Sequence, residues 1–495
     1  MSNSFMRLKP LASLQHEADN DLQRHLGLGS LTLMGVGATI GAGIFVLTGT
    51  AAANYAGPAV ALSFVIAGVA CLCAALCYAE LASMLPCSGS AYSYVYATMG
   101  EALAWVVGWS LVLEYLFATS TVAVGWSGYF SALLASAGVA MPESWNGPPF
   151  HMAASGGLEA TGAIVNLPAV LIVLALGAVL TLGIRTSNRM NAAMVLLKIA
   201  VILLVVGLGA FYVKTANWTP FVPPNAGAYG QFGWTGVVRA AGVVFYAYIG
   251  FDMLSASAQE AKNPRRDIPL SLLFALGICT ILYIAMSLVM TGLAPYRELN
   301  VPHPVYVAIA HAGPGLAWLA PLTGVGVLIG FSSAMLMCLY GQSRIFYRMA
   351  LDGLIPPAFS KLSEARRVPV FGTWFVTVCA AAVAGILPID LLGQLVSIGT
   401  LFAFAIVCAG VLVLRRAAPD RPRAFRAPAV WPVALTGIAA CTYMMVSLPQ
   451  GTWVRLIVWL AIGAAVYGCY GRKRSKLAPV TFADGADPAP AAANL

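Results

Sequence analysis

Three ionisable side chains stand where water should not reach them. Glu114 lies in LVLEYLFATS, Lys198 in VLLKIAVILL and Asp252 in YIGFDML, each inside an apolar run. Such a group costs on the order of 3 kcal/mol at mid-bilayer, so it should face a bundle interior or a water-filled cavity. Lys198 is the sharpest of the three. It follows Arg189 by nine positions, about 13 Å along a helix, and snorkelling covers only part of that distance. An ammonium held out of water can exchange a proton at cellular pH. It can also occupy a position where a sodium ion would otherwise stand. Glu114 is a candidate partner for Lys198 or a member of a proton relay. The plainer alternatives are a static salt bridge for Lys198, a permanently protonated acid for Glu114 and a helix-to-helix hydrogen bond for Asp252.

Backbone can do chemistry as well. Gly35 to Gly49 reads GVGATIGAGIFVLTG, and Val244 to Asp252 reads VFYAYIGFD. Each glycine-broken stretch sits inside a segment long enough to cross a membrane. A spanning helix satisfies its own N–H and C=O groups, and unwinding is tolerated only where the freed groups line a protected cavity. Gly41 and Gly43 flank Ala42, so no bulky side chain blocks approach to the first break. The N–H groups that follow begin a half-helix whose positive end suits a carboxylate. The carbonyl of Ile40 ends the preceding half-helix and can accept from an ammonium. The carbonyls of Tyr246, Ala247 and Ile249 can complete an amine cage. One site thus offers both poles of a zwitterion. Helix packing is the simpler use of closely spaced glycines. Ser332 and Ser333 could bridge to the first segment or bond their own helix. Met335 could wall a side-chain pocket or fill core.

These residues need a membrane bundle to position them. The 495 residues are 60% hydrophobic and 9% charged, where a soluble protein is about 25% charged. Twelve apolar segments are predicted, at 29–53, 57–84, 99–135, 165–184, 189–213, 234–258, 269–293, 314–346, 370–388, 391–414, 429–447 and 452–471; a span requires ~20 residues, and the third and eighth are long enough to tilt or carry an extramembrane turn. With both termini cytoplasmic, 22 of the 27 Lys and Arg residues fall inside and four outside, with Lys198 within the membrane. That bias sets orientation rather than marking a nucleic-acid partner. No cleavable leader is expected, since the first 28 residues are polar and of mixed charge. The ten cysteines lie almost all in apolar segments and read as small buried hydrophobes. Five scattered histidines give no metal spacing.

Segments one to five and six to ten each begin with a broken helix. Five helices per unit put the second unit on the opposite membrane side, the inverted-repeat arrangement. The expected organisation is an all-α polytopic membrane protein. It has a cytoplasmic tail at 1–28, a transporter domain at 29–471 and a cytoplasmic tail at 472–495. The repeats run at about 29–213 and 234–414, followed by two helices at 429–471.

Five stretches together resemble a known family. They are RHLGLGSLTLMGVGATIGAGIFVLTG at 24–49, YAELASMLPCSGSAYSYVYATMGE at 78–101, GWSLVLEYLFATS at 108–120, FYAYIGFDMLSASAQEAKNPRRDIP at 245–269 and GQSRIFYRMALDGLIP at 341–356. The chain resembles an amino acid–polyamine–organocation permease of the bacterial cationic-amino-acid-transporter-like branch. The resemblance implies a LeuT-type 5+5 fold with two added helices, of which segments one and six are broken. It implies that N–H groups of Ala42 and Gly43 bind the substrate carboxylate. The ammonium then meets the carbonyls of Ile40, Tyr246, Ala247 and Ile249. Lys198 matches a lysine that replaces the second sodium site in proton-coupled members, and Glu114 and Asp252 match acids of the branch. Gln259 departs from a pattern that often has a second glutamate before Glu260, which weakens the case for an acidic cytoplasmic gate.

The expected activity is proton-coupled import of L-amino acids across a bacterial inner membrane, small neutral ones such as alanine favoured, with no cofactor or metal. Exchange, or transport of arginine and lysine, is the alternative within the same fold. A sensor would need a larger soluble output region, and the tails are short. A disulfide-linked heavy chain is not expected, because residues 138–164 hold no cysteine. A small membrane accessory subunit remains open. No nucleophile–base pair or cofactor loop suggests an enzyme.

Overall fold

The computed structural model describes residues 25–85, 89–152, 158–227, 229–301, 303–364, 366–448 and 450–476. Most of both tails, together with Cys87, therefore lies outside the described residues. Among the described residues the regular structure is helical, apart from a small antiparallel hairpin of β1 (Phe150–Met152) and β2 (Leu158–Ala160). The main helices are α1 (Leu28–Thr39), α2 (Val60–Met84), α3 (Glu101–Ser136), α4 (Leu167–Thr181), α5 (Ile184–Gly209) and α6 (Gly233–Val244). They continue with α7 (Pro264–Leu293), α8 (Leu319–Leu351), α9 (Val370–Ile386), α10 (Ile389–Ala417), α11 (Val430–Val446) and α12 (Gln450–Val466). Among the described residues, eight helical runs are long and apolar enough to cross a membrane, and α1, α4, α9 and α11 are shorter apolar helices.

The bundle wears its apolar side chains outward. Val65, Val69 and Leu72 of α2, Phe371 and Val378 of α9, and Val454 and Ile457 of α12 are exposed. Glu114, Lys198, Asp252 and Gln342 are fully buried. Lipid-facing helices gain nothing from burying Leu against Leu, so close packing of small residues holds them together. At the α4–α9 crossing a Cβ on Gly177 would sit 2.3 Å from Thr377.

Neighbour relations repeat with an offset of five helices. α2 packs on α7, α3 on α8 and α4 on α9. α1 meets α7 as α6 meets α2, and α3 meets α10 as α8 meets α5. α11 and α12 stand outside this scheme, against α10, α2 and α3.

Segment ends differ from expectation where polar turns were hidden in apolar sequence. The eighth helix begins at Leu319 and runs to Leu351, because Gly313 takes φ +91° and a turn precedes it. The first segment stops being α-helical at Thr39 and resumes as a wide-turn helix at Gly43–Leu47. The sixth ends as α-helix at Val244, tightens into a 3-10 turn at Phe245–Tyr248, and continues as 3-10 helix at Phe251–Glu260.

Candidate functional site

The two breaks lie directly against each other. A Cβ on Gly43 would stand 2.3 Å from the Cα of Ala247, and one on Gly250 would stand 2.9 Å from the carbonyl oxygen of Ala38. Gly250 also takes φ +109°, a region that side chains disfavour. At Gly43 the backbone of the neighbouring break fills the space that the missing Cβ leaves. Gly41 has the looser setting, with Ala334 at 3.4 Å and Val122 at 3.5 Å from a would-be Cβ.

The carbonyls freed at the first break are taken up one by one. Val36 O accepts from the N–H of Ile40 at 3.0 Å. Lys198 Nζ donates to Gly37 O, Ile40 O and Ser333 Oγ, each at 2.8 Å. Three acceptors match the three donors of an ammonium. Gly330 gives the lysine stem room on α8, where a Cβ would come within 3.2 Å of Lys198 Cβ. Thr39 O accepts from Tyr283 Oη at 3.0 Å.

At the second break Ala247 O accepts from the same Tyr283 Oη at 2.7 Å, and Tyr246 O from the N–H of Ile249 at 3.2 Å. Of the four carbonyls expected to hold an ammonium, Ile40, Tyr246 and Ala247 therefore already serve protein donors. A carbonyl keeps a second lone pair, so this does not close the cage. Ser333 bonds its own helix at Gly330 O, 2.8 Å, and lies 3.5 Å from Gly37 O of the first segment, while Ser332 bonds its own helix at Leu328 O, 2.9 Å. Met335 is fully buried one residue beyond Ala334.

Glu114 does not meet Lys198, contrary to one expectation. Its electrostatic neighbour is Asp252. Tyr115 donates to Asp252 Oδ2 at 2.5 Å, and Ser255 links the Asp252 carbonyl to Ser90. Thr400 is the hydroxyl beside Glu114, but it donates to Val396 O at 3.0 Å. Both Glu114 oxygens and Asp252 Oδ1 are buried without a hydrogen-bond partner. A carboxylate pair with no cation against it is costly unless it shares a proton.

A cavity of about 700 Å³ opens beside the first break. It is lined by Val46 and Thr50 beyond the break, Gly125 and Ser127 of α3, Asn146 of the following loop and Asp390 of α10. A Cβ on Gly125 would reach 3.8 Å from Ala42 and 3.2 Å from Phe331. Phe331 packs edge-on against Phe45 and Tyr129, both at 5.8 Å between ring centroids. The opposite end is closed. Glu260 pairs with Arg344 at 2.8 Å. The N–H groups of His25 and Leu26 bond Glu260 O at 2.9 Å. Glu80 receives Arg415 through two bonds and Arg423 at 3.1 Å. Glu101 accepts from Tyr96 and Tyr467, both at 2.8 Å. Both acids are buried.

Tyr283 and Tyr115 were missed by the sequence reading. A tyrosine in an apolar span must find a partner for its hydroxyl, and that alone marked both positions. Among the described residues no cluster of metal-ligating side chains occurs.

Comparison with known proteins agrees with this architecture. The family model described as amino acid permease matches residues 26–466. The branched-chain amino acid permease BcaP of Bacillus subtilis is 44% identical over 480 residues, 96% of this chain and 100% of that one. The methylthioribose transporter of the same organism is 44% identical over 476 residues, covering 96% and 99%. The vacuolar cationic amino acid transporter 4 of Arabidopsis thaliana is 38% identical over 421 residues, covering 84% and 68%.

Proposed function

The chain belongs to the amino acid permease family, and we propose that it is a proton-coupled importer of neutral L-amino acids. Twelve spans in two inverted five-helix repeats, with both ends cytoplasmic, form the framework of this reading. The five-helix offset in the contacts and the 22-to-4 loop charge bias support it. Residues 29–213 and 234–414 are the repeats, and α11 and α12 are peripheral additions.

The observation that carries the coupling is the Lys198 ammonium on Gly37 O, Ile40 O and Ser333 Oγ. A cation there holds the end of the first half-helix, and a neutral amine holds it less well because charge-assisted bonds are the stronger ones. Proton loss at Lys198 thus loosens the first break, and proton gain restores it. Glu114 and Asp252 form a second proton-holding pair on the far side of Gly250. The substrate carboxylate sits on the N–H groups of Ala42 and Gly43, at the start of the second half-helix. Its side chain lies toward Val122, Ala334 and Met335, an apolar set that suits alanine or a branched aliphatic side chain. The cavity lined by Val46, Thr50 and Gly125 and the ion-paired end at Glu260–Arg344 support an outward-facing arrangement.

A second reading has its own support, the 44% identity to a methylthioribose transporter. The half-helix N–H groups would then serve hydroxyls rather than a carboxylate. A thermal-shift screen of purified protein against the amino acids and methylthioribose separates the two, since a true ligand raises the melting temperature by mass action. Uptake into substrate-free vesicles under an imposed pH gradient then tests coupling. Uptake indifferent to the gradient would remove proton symport and leave exchange.

A further inference from the structure

The apolar helical run that contains α12 ends at Arg474. Arg472, Lys473, Arg474 and Lys476 stand together at that end, and all four are exposed. Orientation in a membrane requires only that such charge be present. Here the backbone that carries it is also fixed. Ser475 Oγ donates to Glu101 Oε2, the buried carboxylate at the start of α3 that also accepts from Tyr96 and Tyr467. The N–H of Lys476 donates to Asp352 O at 3.2 Å. A Cβ on Gly353 would come within 2.3 Å of Arg474 O. Docking thus uses a serine and main-chain groups and leaves the four cations on the outside. The connector after α10 does the reverse, turning Arg415 and Arg423 inward onto Glu80. Arg474 lies over the Tyr470 ring, 5.1 Å from its centroid, and tyrosines of spanning helices gather at headgroup level.

We propose that segment 472–476 is a binding site for the phosphate groups of anionic phospholipids, and that lipid held there steadies the adjoining end of the bundle. The inference rests on the membrane-spanning reading of α12 and on no particular substrate. Basic residues beside a span are drawn to an anionic surface, each by about fivefold in affinity. The docked backbone passes the effect inward. Asp352 accepts from Tyr92 at 2.8 Å and Glu101 from Tyr96, and both tyrosines lie on the short helix Ser90–Thr98. Ser90, at the start of that helix, accepts from Ser255 at 2.7 Å, on the 3-10 run that follows the second break. A segment held at the headgroups therefore restrains the short helix, and a released segment does not.

Titration of the full-length protein in detergent with dispersed phosphatidylglycerol, read by melting temperature, measures the site. Arg472→Gln, Lys473→Gln, Arg474→Gln and Lys476→Gln together should raise the half-maximal concentration about a hundredfold. Lys262→Gln, Arg265→Gln and Arg266→Gln together, at another exposed basic turn, should raise it less than about fivefold. Phosphatidylcholine and inorganic phosphate at matched concentrations should give no shift. Equal stabilisation by phosphatidylcholine, an unchanged midpoint in the fourfold variant, or an equal loss in the 262–266 variant overturns the lipid site. A matching shift with inorganic phosphate overturns it too, by assigning the cations to free anions. In nanodiscs, replacing phosphatidylcholine by phosphatidylglycerol should slow hydrogen exchange about threefold or more in peptides covering 90–101. Ser475→Ala keeps the four charges and the titration midpoint, and should remove at least half of that slowing. Exchange that slows as much in Ser475→Ala as in the wild type, or in neither, overturns the inward transmission. None of these readouts involves uptake, so they decide the proposal even if the transport reading fails.

Discussion

The two breaks meet the same problem with different chemistry. Each frees backbone carbonyls inside a protein where an unpaired polar group is costly. At the first break a charged group answers, with Lys198 on Gly37 O and Ile40 O. At the second the answer is neutral. The Tyr283 hydroxyl holds Ala247 O, and Gly250 at φ +109° turns the chain into a 3-10 run. An ammonium binds carbonyls more strongly than a phenol does, but only while it is protonated. On the proposed coupling, therefore, one break is released by a proton and the other is not. The near-symmetry of the contacts makes the contrast sharper, because matched positions in the two repeats carry a switchable cap and a fixed one.

The comparison presupposes that the breaks touch. Gly43→Val tests that with the largest expected effect. Its Cβ would meet the Cα of Ala247 at 2.3 Å, which is backbone and has nowhere to go. Folded, monodisperse protein should be lost on size-exclusion chromatography, and uptake with it. A Gly43→Val protein that folds and transports would mean that the two breaks are not in contact.

Lys198→Ala comes next and removes the switchable cap. Gly37 O and Ile40 O lose their donor, each at a cost of roughly 1–3 kcal/mol. The protein should still fold and bind, with a lower melting temperature. Accumulation driven by a pH gradient should disappear, leaving exchange of internal for external substrate. A mutant that still concentrates substrate against its gradient would move the proton role to Glu114 and Asp252.

How much of this was legible beforehand divides along the same line. The breaks, the buried Lys198 and the helix order were written in glycine spacing, an intramembrane charge and apolar run lengths. The partners were not. Nothing in the order of residues says that Lys198 meets carbonyls rather than Glu114, because that depends on the angle at which α5 crosses α1 and α8. Tyr283 looked like any aromatic in an apolar span, and its role arises from standing between two segments more than thirty residues away from it in sequence. Gly43 marks a place without a side chain, and only the position of Ala247 shows what fills it. Glu80 and Glu101 stand near helix ends in the sequence, but their burial depends on the connector after α10 and on the residues that follow α12.

Gly41→Ala sharpens the contrast within one motif. Its Cβ would lie 3.4 Å from Ala334 and 3.5 Å from Val122, an ordinary contact that costs the fold little. It nevertheless intrudes on the side of the break assigned to substrate. The melting temperature without ligand should stay close to wild type, while substrate affinity falls about tenfold, a loss of ~1.4 kcal/mol. Equal losses in stability and affinity would mean that Gly41, like Gly43, is there for packing.

Ser333→Ala carries the smallest effect and asks how much of the charged cap is enough. Ser333 Oγ accepts from Lys198 Nζ at 2.8 Å and lies 2.8 Å from Gly330 O, to which it donates. Removing it costs the ammonium one of three acceptors and leaves Gly37 O and Ile40 O in place. A hydrogen bond to a charged group is worth about 1.5–3 kcal/mol, of which relaxation of the flexible lysine recovers a part. Uptake under a pH gradient should persist at a rate within about tenfold of wild type, well above that of Lys198→Ala. If Ser333→Ala abolishes gradient-driven accumulation as fully as Lys198→Ala, the serine takes part in the proton step itself. The first break would then be switched by a lysine–serine pair on α5 and α8 rather than by one ammonium.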